Sequence, residues 1–93
     1  MSTAFTSIDP ARGEIVWEGA AASPDDCVRA VAAARAAFPA WAGQSADARI
    51  AVLQRYAAVL GERQAALAEA IARETGKPLW EAQTEVASMV GKV

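Results

Sequence analysis

The chain has 93 residues, a net charge of -2 and a hydrophobic share of 54%, with nine Lys and Arg set against eleven Asp and Glu. These values describe one small, ordered, helix-rich unit and exclude a disordered tail, and the dispersed charges exclude a basic nucleic-acid surface. No apolar run is long enough to span a bilayer, and the first residues lack the charged and apolar regions of a secretory leader, so neither a membrane nor an export signal is expected. Much of the apolar content is alanine, which favours helix but buries little area per residue. The single cysteine, Cys27, permits no intrachain disulfide, which points to a reducing, cytoplasmic setting. There is no histidine, the commonest general base and metal ligand.

In chain order, residues 6–20 read as a hairpin. Asp9-Pro10-Ala11-Arg12-Gly13 is a turn: Pro10 fixes φ, Asp9 accepts from nearby N–H groups and Gly13 tolerates positive φ. Ile15, Val16 and Trp17 read as strand, with Thr6 to Ile8 as its partner. A first helix is expected over 24–38. Ser23 is its N-cap, Pro24 suits N1, and Asp25 and Asp26 meet the positive helix end. Its apolar stripe is Cys27/Val28, Val31, Ala34/Arg35 and Phe38, and Pro39 is expected to end it.

Ser45 starts a second helical stretch, 46–74, with Ile50, Leu53, Ala57, Leu60, Leu67 and Ile71 at helical spacing and a break near Gly61. Gly76 is expected to end it and Pro78 to open a last helix over 79–91, with Trp80, Gln83, Val86/Ala87 and Val90 on one stripe. The fold class expected is a mainly α-helical segment with a short N-terminal β-hairpin. Trp17, Phe38, Trp41, Tyr56 and Trp80 are expected to supply much of the packing that alanine does not.

Four features invite a chemical reading. Cys27 lies in the opening turns of a helix, where a thiolate is favoured, but it has no histidine base and stands beside two aspartates. Glu81 and Glu85 share a helical face, but without a third carboxylate or a histidine they read as a solvated face. Gly76-Lys77 lacks the glycine-rich loop and the Ser/Thr of a phosphate loop and reads as a helix end with a proline turn. Trp17, Trp41 and Trp80 lack the basic groove that accompanies base stacking. No catalytic, cofactor-binding or metal-binding residue is therefore assigned in the chain. On the residues alone, a small helical interaction domain without enzymatic activity is an open alternative.

Four stretches resemble the aldehyde dehydrogenase superfamily, in that family's order. They are Ser7 to Glu14, Asp26 to Trp41, Arg49 to Leu60 and Leu67 to Pro78, the last reading L-A-E-A-I-A-R-E-T-G-K-P. Gly76 to Val93, with P-L-W-E-A-Q-T-E-V-A-S-M, resembles one subfamily in particular. The resemblance implies an α/β parent with a Rossmann-like cofactor domain and a catalytic domain, of which residues 1–93 form an N-terminal part of the NAD(P)-binding region. It implies NAD as the parent's cofactor, none of it bound by this segment. It also implies a cysteine nucleophile and a glutamate base downstream, and a homo-oligomeric parent. Cys27 matches no family catalytic position. The expected partner is the remainder of the dehydrogenase chain. The segment alone is expected to be inactive, and to self-associate or to pack loosely.

Overall fold

The computed structural model describes residues 3–93 as a two-stranded hairpin followed by four helices. Strands β1 (Ala4–Ile8) and β2 (Ile15–Ala20) pair antiparallel, with Ala4 opposite Ala20, Ser7 opposite Trp17 and a bulge between Ser7 and Ile8. The turn closes as its residues dictate. The Asp9 Oδ1 accepts from the N–H groups of Ala11 (2.8 Å) and Arg12 (3.2 Å). The Gly13 N–H donates to the Asp9 carbonyl at 2.7 Å, and Gly13 takes a φ of 74°. Asp9 is buried because its carboxylate serves this turn. On the strands, the Trp17 indole lies over Gly19 so closely that a Cβ there would meet the ring at 2.3 Å, and it packs against Phe5 with ring centroids 5.0 Å apart.

Helix α1 (Pro24–Ala42) starts on a capping box. The Ser23 Oγ accepts from the Asp26 N–H at 3.1 Å, and the Asp26 carboxylate accepts from the Ser23 N–H at 2.8 Å. The helix does not stop at Phe38 as expected; it runs through Pro39 to Ala42. Pro39 has no N–H to give the Arg35 carbonyl, but Arg35 and its neighbours on α1 are exposed, so water is available as a partner, which lowers the cost. The last turn is closed by the Gly43 N–H, which donates to the Pro39 carbonyl at 3.0 Å.

Helix α2 (Ala46–Glu62) begins on Ser45, whose Oγ accepts from the Ala48 N–H. The break falls at Arg63, with φ -100° and ψ 14°, and α3 (Gln64–Thr75) continues from it. Gly76 ends α3 with a φ of 79°, its N–H donating to the Ala72 carbonyl at 2.9 Å. Pro10 of the hairpin turn sits on Gly76, so that a Cβ at 76 would lie 2.8 Å from the Pro10 Cγ. This contact ties the hairpin to the helices. Gly76→Ala adds a steric clash to backbone strain, whereas Gly13→Ala meets open space and adds strain alone. The expected cost is about 1–3 kcal/mol at Gly76 and less at Gly13. Urea titrations followed at 222 nm check this ranking; equal midpoints for the two variants would contradict it.

Helix α4 (Leu79–Lys92) packs on α3 and α2. The core is Ala68 of α3 with Ala82 and Val86 of α4, flanked by Leu67, Ile71 and Ala72. It is an alanine seam that lets two helices approach closely, not the aromatic core the sequence suggested. Trp17, Phe38, Trp41, Tyr56 and Trp80 all remain exposed, between 37% and 68%. Even Trp17, which packs against Phe5, stays 48% exposed, because a single neighbouring ring covers one side of the indole only. The molecule is a flat layer of 48 × 38 × 15 Å. Its radius of gyration is 17.4 Å, against about 12 Å for a compact domain of this length. Its accessible surface is 7161 Å², against about 5,100 Å² for a compact monomer of this mass.

Candidate functional site

The features singled out in the sequence fall at separate places in the fold. Cys27 is exposed in the second turn of α1, and no polar partner of its sulfur is seen among the described residues. Lys77 forms an ion pair with Glu85, across the proline turn that joins α3 to α4. The Gly76-Lys77 run and the Glu81/Glu85 pair therefore belong to one clasp. The hydrogen bond to Glu85 raises the Lys77 pKa, opposed by partial desolvation and helped by the charges of Glu85 and Glu81. The spacing of eight residues across Pro78 hides this pair from a reading based on helical periodicity.

Asp26 is the other group that the local geometry perturbs. Its pKa is lowered, first by the backbone N–H of Ser23, then by the Ser23 hydroxyl, with Arg29 contributing through an ion pair on the same helix. The two shifts act at opposite ends of the pH scale. A carboxyl with a depressed folded pKa stabilises fully above its unfolded value, and the benefit is lost as pH falls through the folded value. A lysine with a raised folded pKa stabilises fully below its unfolded value, and the benefit is lost as pH rises through the folded one. Helix content is therefore expected to decline below about pH 4 and above about pH 10.5, with a plateau between. Circular dichroism at 222 nm across that range checks it, and Asp26→Asn should flatten the acid limb; an unchanged acid limb in that variant would contradict the assignment.

The structure also assembles a cleft that the sequence reading missed. It lies where the hairpin turn meets α3 and is lined by Asp9, Arg12, Glu69, Ala72, Arg73 and Leu79. Two cations face two anions there, and the Asp9 Oδ1 is already engaged by backbone N–H groups. No nucleophile or imidazole lines it, and its charges balance. Among the described residues, no group of three or more His, Cys, Asp or Glu stands close enough to hold a metal ion. No helix of the described residues is long and apolar enough to cross a membrane.

A dinucleotide fits this chain poorly. Phosphate binding at a Rossmann-type turn needs a strand that feeds a helix through a glycine-rich turn, beside a parallel neighbour. Here the two strands are antiparallel and joined by a tight turn, and the link from β2 to α1 is Ala21-Ala22-Ser23, without glycine. Ser23 uses its hydroxyl to cap α1.

Comparison with known proteins gives these observations a context. The sequence pattern of the aldehyde dehydrogenase family matches residues 1–93. An N-succinylglutamate 5-semialdehyde dehydrogenase of Burkholderia mallei (strain SAVP1) is 63% identical over 89 residues, covering 96% of this chain and 18% of the relative. Proteins of the same name from Paraburkholderia xenovorans (strain LB400) and Burkholderia thailandensis are each 61% identical, over 90 and 89 residues. The chain thus spans less than a fifth of the length of these relatives. With the family pattern matched from end to end, the chain belongs to the aldehyde dehydrogenase family.

Proposed function

We propose that this chain is a structural layer of an NAD-dependent aldehyde dehydrogenase. The reaction is oxidation of N-succinylglutamate 5-semialdehyde to N-succinylglutamate in arginine catabolism, in the cytoplasm. The observation that carries the reading is 61–63% identity, over nearly the whole chain, to dehydrogenases named for that substrate. The flat shape and the small alanine core support a scaffolding role. The residues present supply an N-terminal hairpin, capped helices and a clasp, and the chemistry falls to parts of the enzyme beyond them. When bound, NAD supplies the hydride acceptor.

The test uses a chimera in which this chain replaces the matched 89 residues of the Burkholderia mallei enzyme, alongside the 93-residue chain alone. The chimera is expected to form NADH from N-succinylglutamate 5-semialdehyde at close to the parental rate, and the chain alone to form none. A soluble, folded chimera without turnover would overturn the scaffold role. For the substrate, the enzyme encoded by the complete reading frame that contains this sequence is compared on N-succinylglutamate 5-semialdehyde and succinate semialdehyde. A higher kcat/KM for the shorter aldehyde would overturn the substrate assignment.

A further inference from the structure

We infer that the cleft between the hairpin turn and α3 is a binding site for a free α-amino acid with an aliphatic side chain, apart from the dehydrogenase chemistry and independent of the substrate proposed above. Glu69 and Arg73 are four residues apart on α3 and share one of its faces. Arg12 and Asp9 reach the same cleft from the hairpin turn. Glu before Arg at this spacing is the favourable order for a local ion pair. Yet no ion pair joins any of these four groups; those among the described residues are Asp26–Arg29 and Lys77–Glu85. The four charges stand open around a cavity of about 560 Å³, a size suited to a small molecule.

Asp9 is the fixed point of the site. It is only 7% exposed, and its Oδ1 is held by the N–H groups of Ala11 and Arg12. Its Oδ2 has no hydrogen-bond partner among the described residues. Pro10 rests on Gly76 at the end of α3, which sets the turn against that helix. The charge pattern then selects the ligand. A simple anion is attracted by Arg12 and Arg73 but repelled by Asp9 and Glu69, and a simple cation meets the reverse. A carboxylate and an ammonium on one carbon satisfy both pairs. The carboxylate suits the guanidinium forks, and the three ammonium donors suit the Asp9 Oδ2 and the Glu69 carboxylate. Ala72 and the half-exposed Leu79 supply an apolar wall for the aliphatic side chain.

The test is calorimetric titration of the enzyme encoded by the complete reading frame. The probes are L-leucine, isocaproate, which lacks the ammonium, and isoamylamine, which lacks the carboxylate. Leucine is expected to bind at least about tenfold more tightly than either, the loss of a charge-assisted contact. Arg73→Gln and Glu69→Gln are each expected to weaken leucine binding by at least about tenfold, with Arg55→Gln on α2 without effect. Asp9 is left intact because it builds the turn. Isocaproate or isoamylamine binding as tightly as leucine would overturn the inference, by showing a plain anion or cation site. No heat from leucine, or equal leucine affinity in the unmodified enzyme and in both cleft variants, would also overturn it. The probe series needs no variant, and NADH formation does not enter the readout, so a failed substrate assignment and a failed amino-acid site are distinguishable.

Discussion

Val86→Asp is expected to unfold the α3–α4 pair. Val86 is completely buried, and it is the largest of the fully buried side chains. An ionised carboxylate there has no partner in an alanine seam formed with Ala68 and Ala82. Such a charge costs several kcal/mol or forces protonation. Native domains are stable by only about 5–15 kcal/mol in all, so the loss is a large fraction of the whole. Val86→Ala, which removes two methyl groups, is expected to cost about 2 kcal/mol and to leave the helices formed. Far-UV circular dichroism of the two variants checks the contrast. A Val86→Asp variant with native helix content at neutral pH would show that the seam is not what holds these helices together.

A second large effect concerns the chain as a whole. The 93-residue chain is expected to melt over a broad range, without a sharp calorimetric transition. Among the described residues, three fully buried ones make a weak cooperative unit, and α1 and α2 have no buried residue at all. Ile50 and Leu53 of α2 are about half exposed, and the free edges of the hairpin are open to pairing. Apolar surface of this extent binds hydrophobic dyes and promotes association. Sedimentation over a concentration series, with an Ile50→Asp/Leu53→Asp double variant, measures how much of the behaviour comes from that stripe. A compact monomer that melts in one cooperative step would show that the layer closes its own core.

The parts of the fold that were legible in the sequence are those set by local chemistry. Ser23-Pro24-Asp25-Asp26 specifies a helix start because hydroxyl, ring and carboxylates act within one turn, and the capping box forms there. Asp9, Pro10 and Gly13 specify the hairpin turn for the same reason. Gly76 marks a helix end because only glycine takes positive φ without strain. What was not legible depends on surroundings. Pro39 was read as a stop, but in a helix without a buried residue water is available to the carbonyl it frees, and the helix continues to Ala42. Five aromatic side chains were read as packing groups, but burial requires a covering element; Trp17 meets the Phe5 ring on the neighbouring strand, and still all five stay exposed. The Lys77–Glu85 clasp and the Asp9–Arg73 cleft join residues distant in the chain, so no local pattern announces them.

Amide hydrogen exchange over residues 24–62 tests most directly whether this chain is a layer completed by the rest of a dehydrogenase. It is measured for the 93-residue chain and for the chimera under the same conditions. In the chain alone, α1 makes at most marginal contact with other elements, and α2 packs on α4 without a buried residue of its own, so their amides, those of α1 above all, are expected to exchange through local opening faster than those of the α3–α4 seam. In the chimera, the same amides are expected to slow by at least a hundredfold and to exchange with the rest of the enzyme. Slow, uniform exchange of α1 and α2 in the chain alone, unchanged in the chimera, would contradict the account.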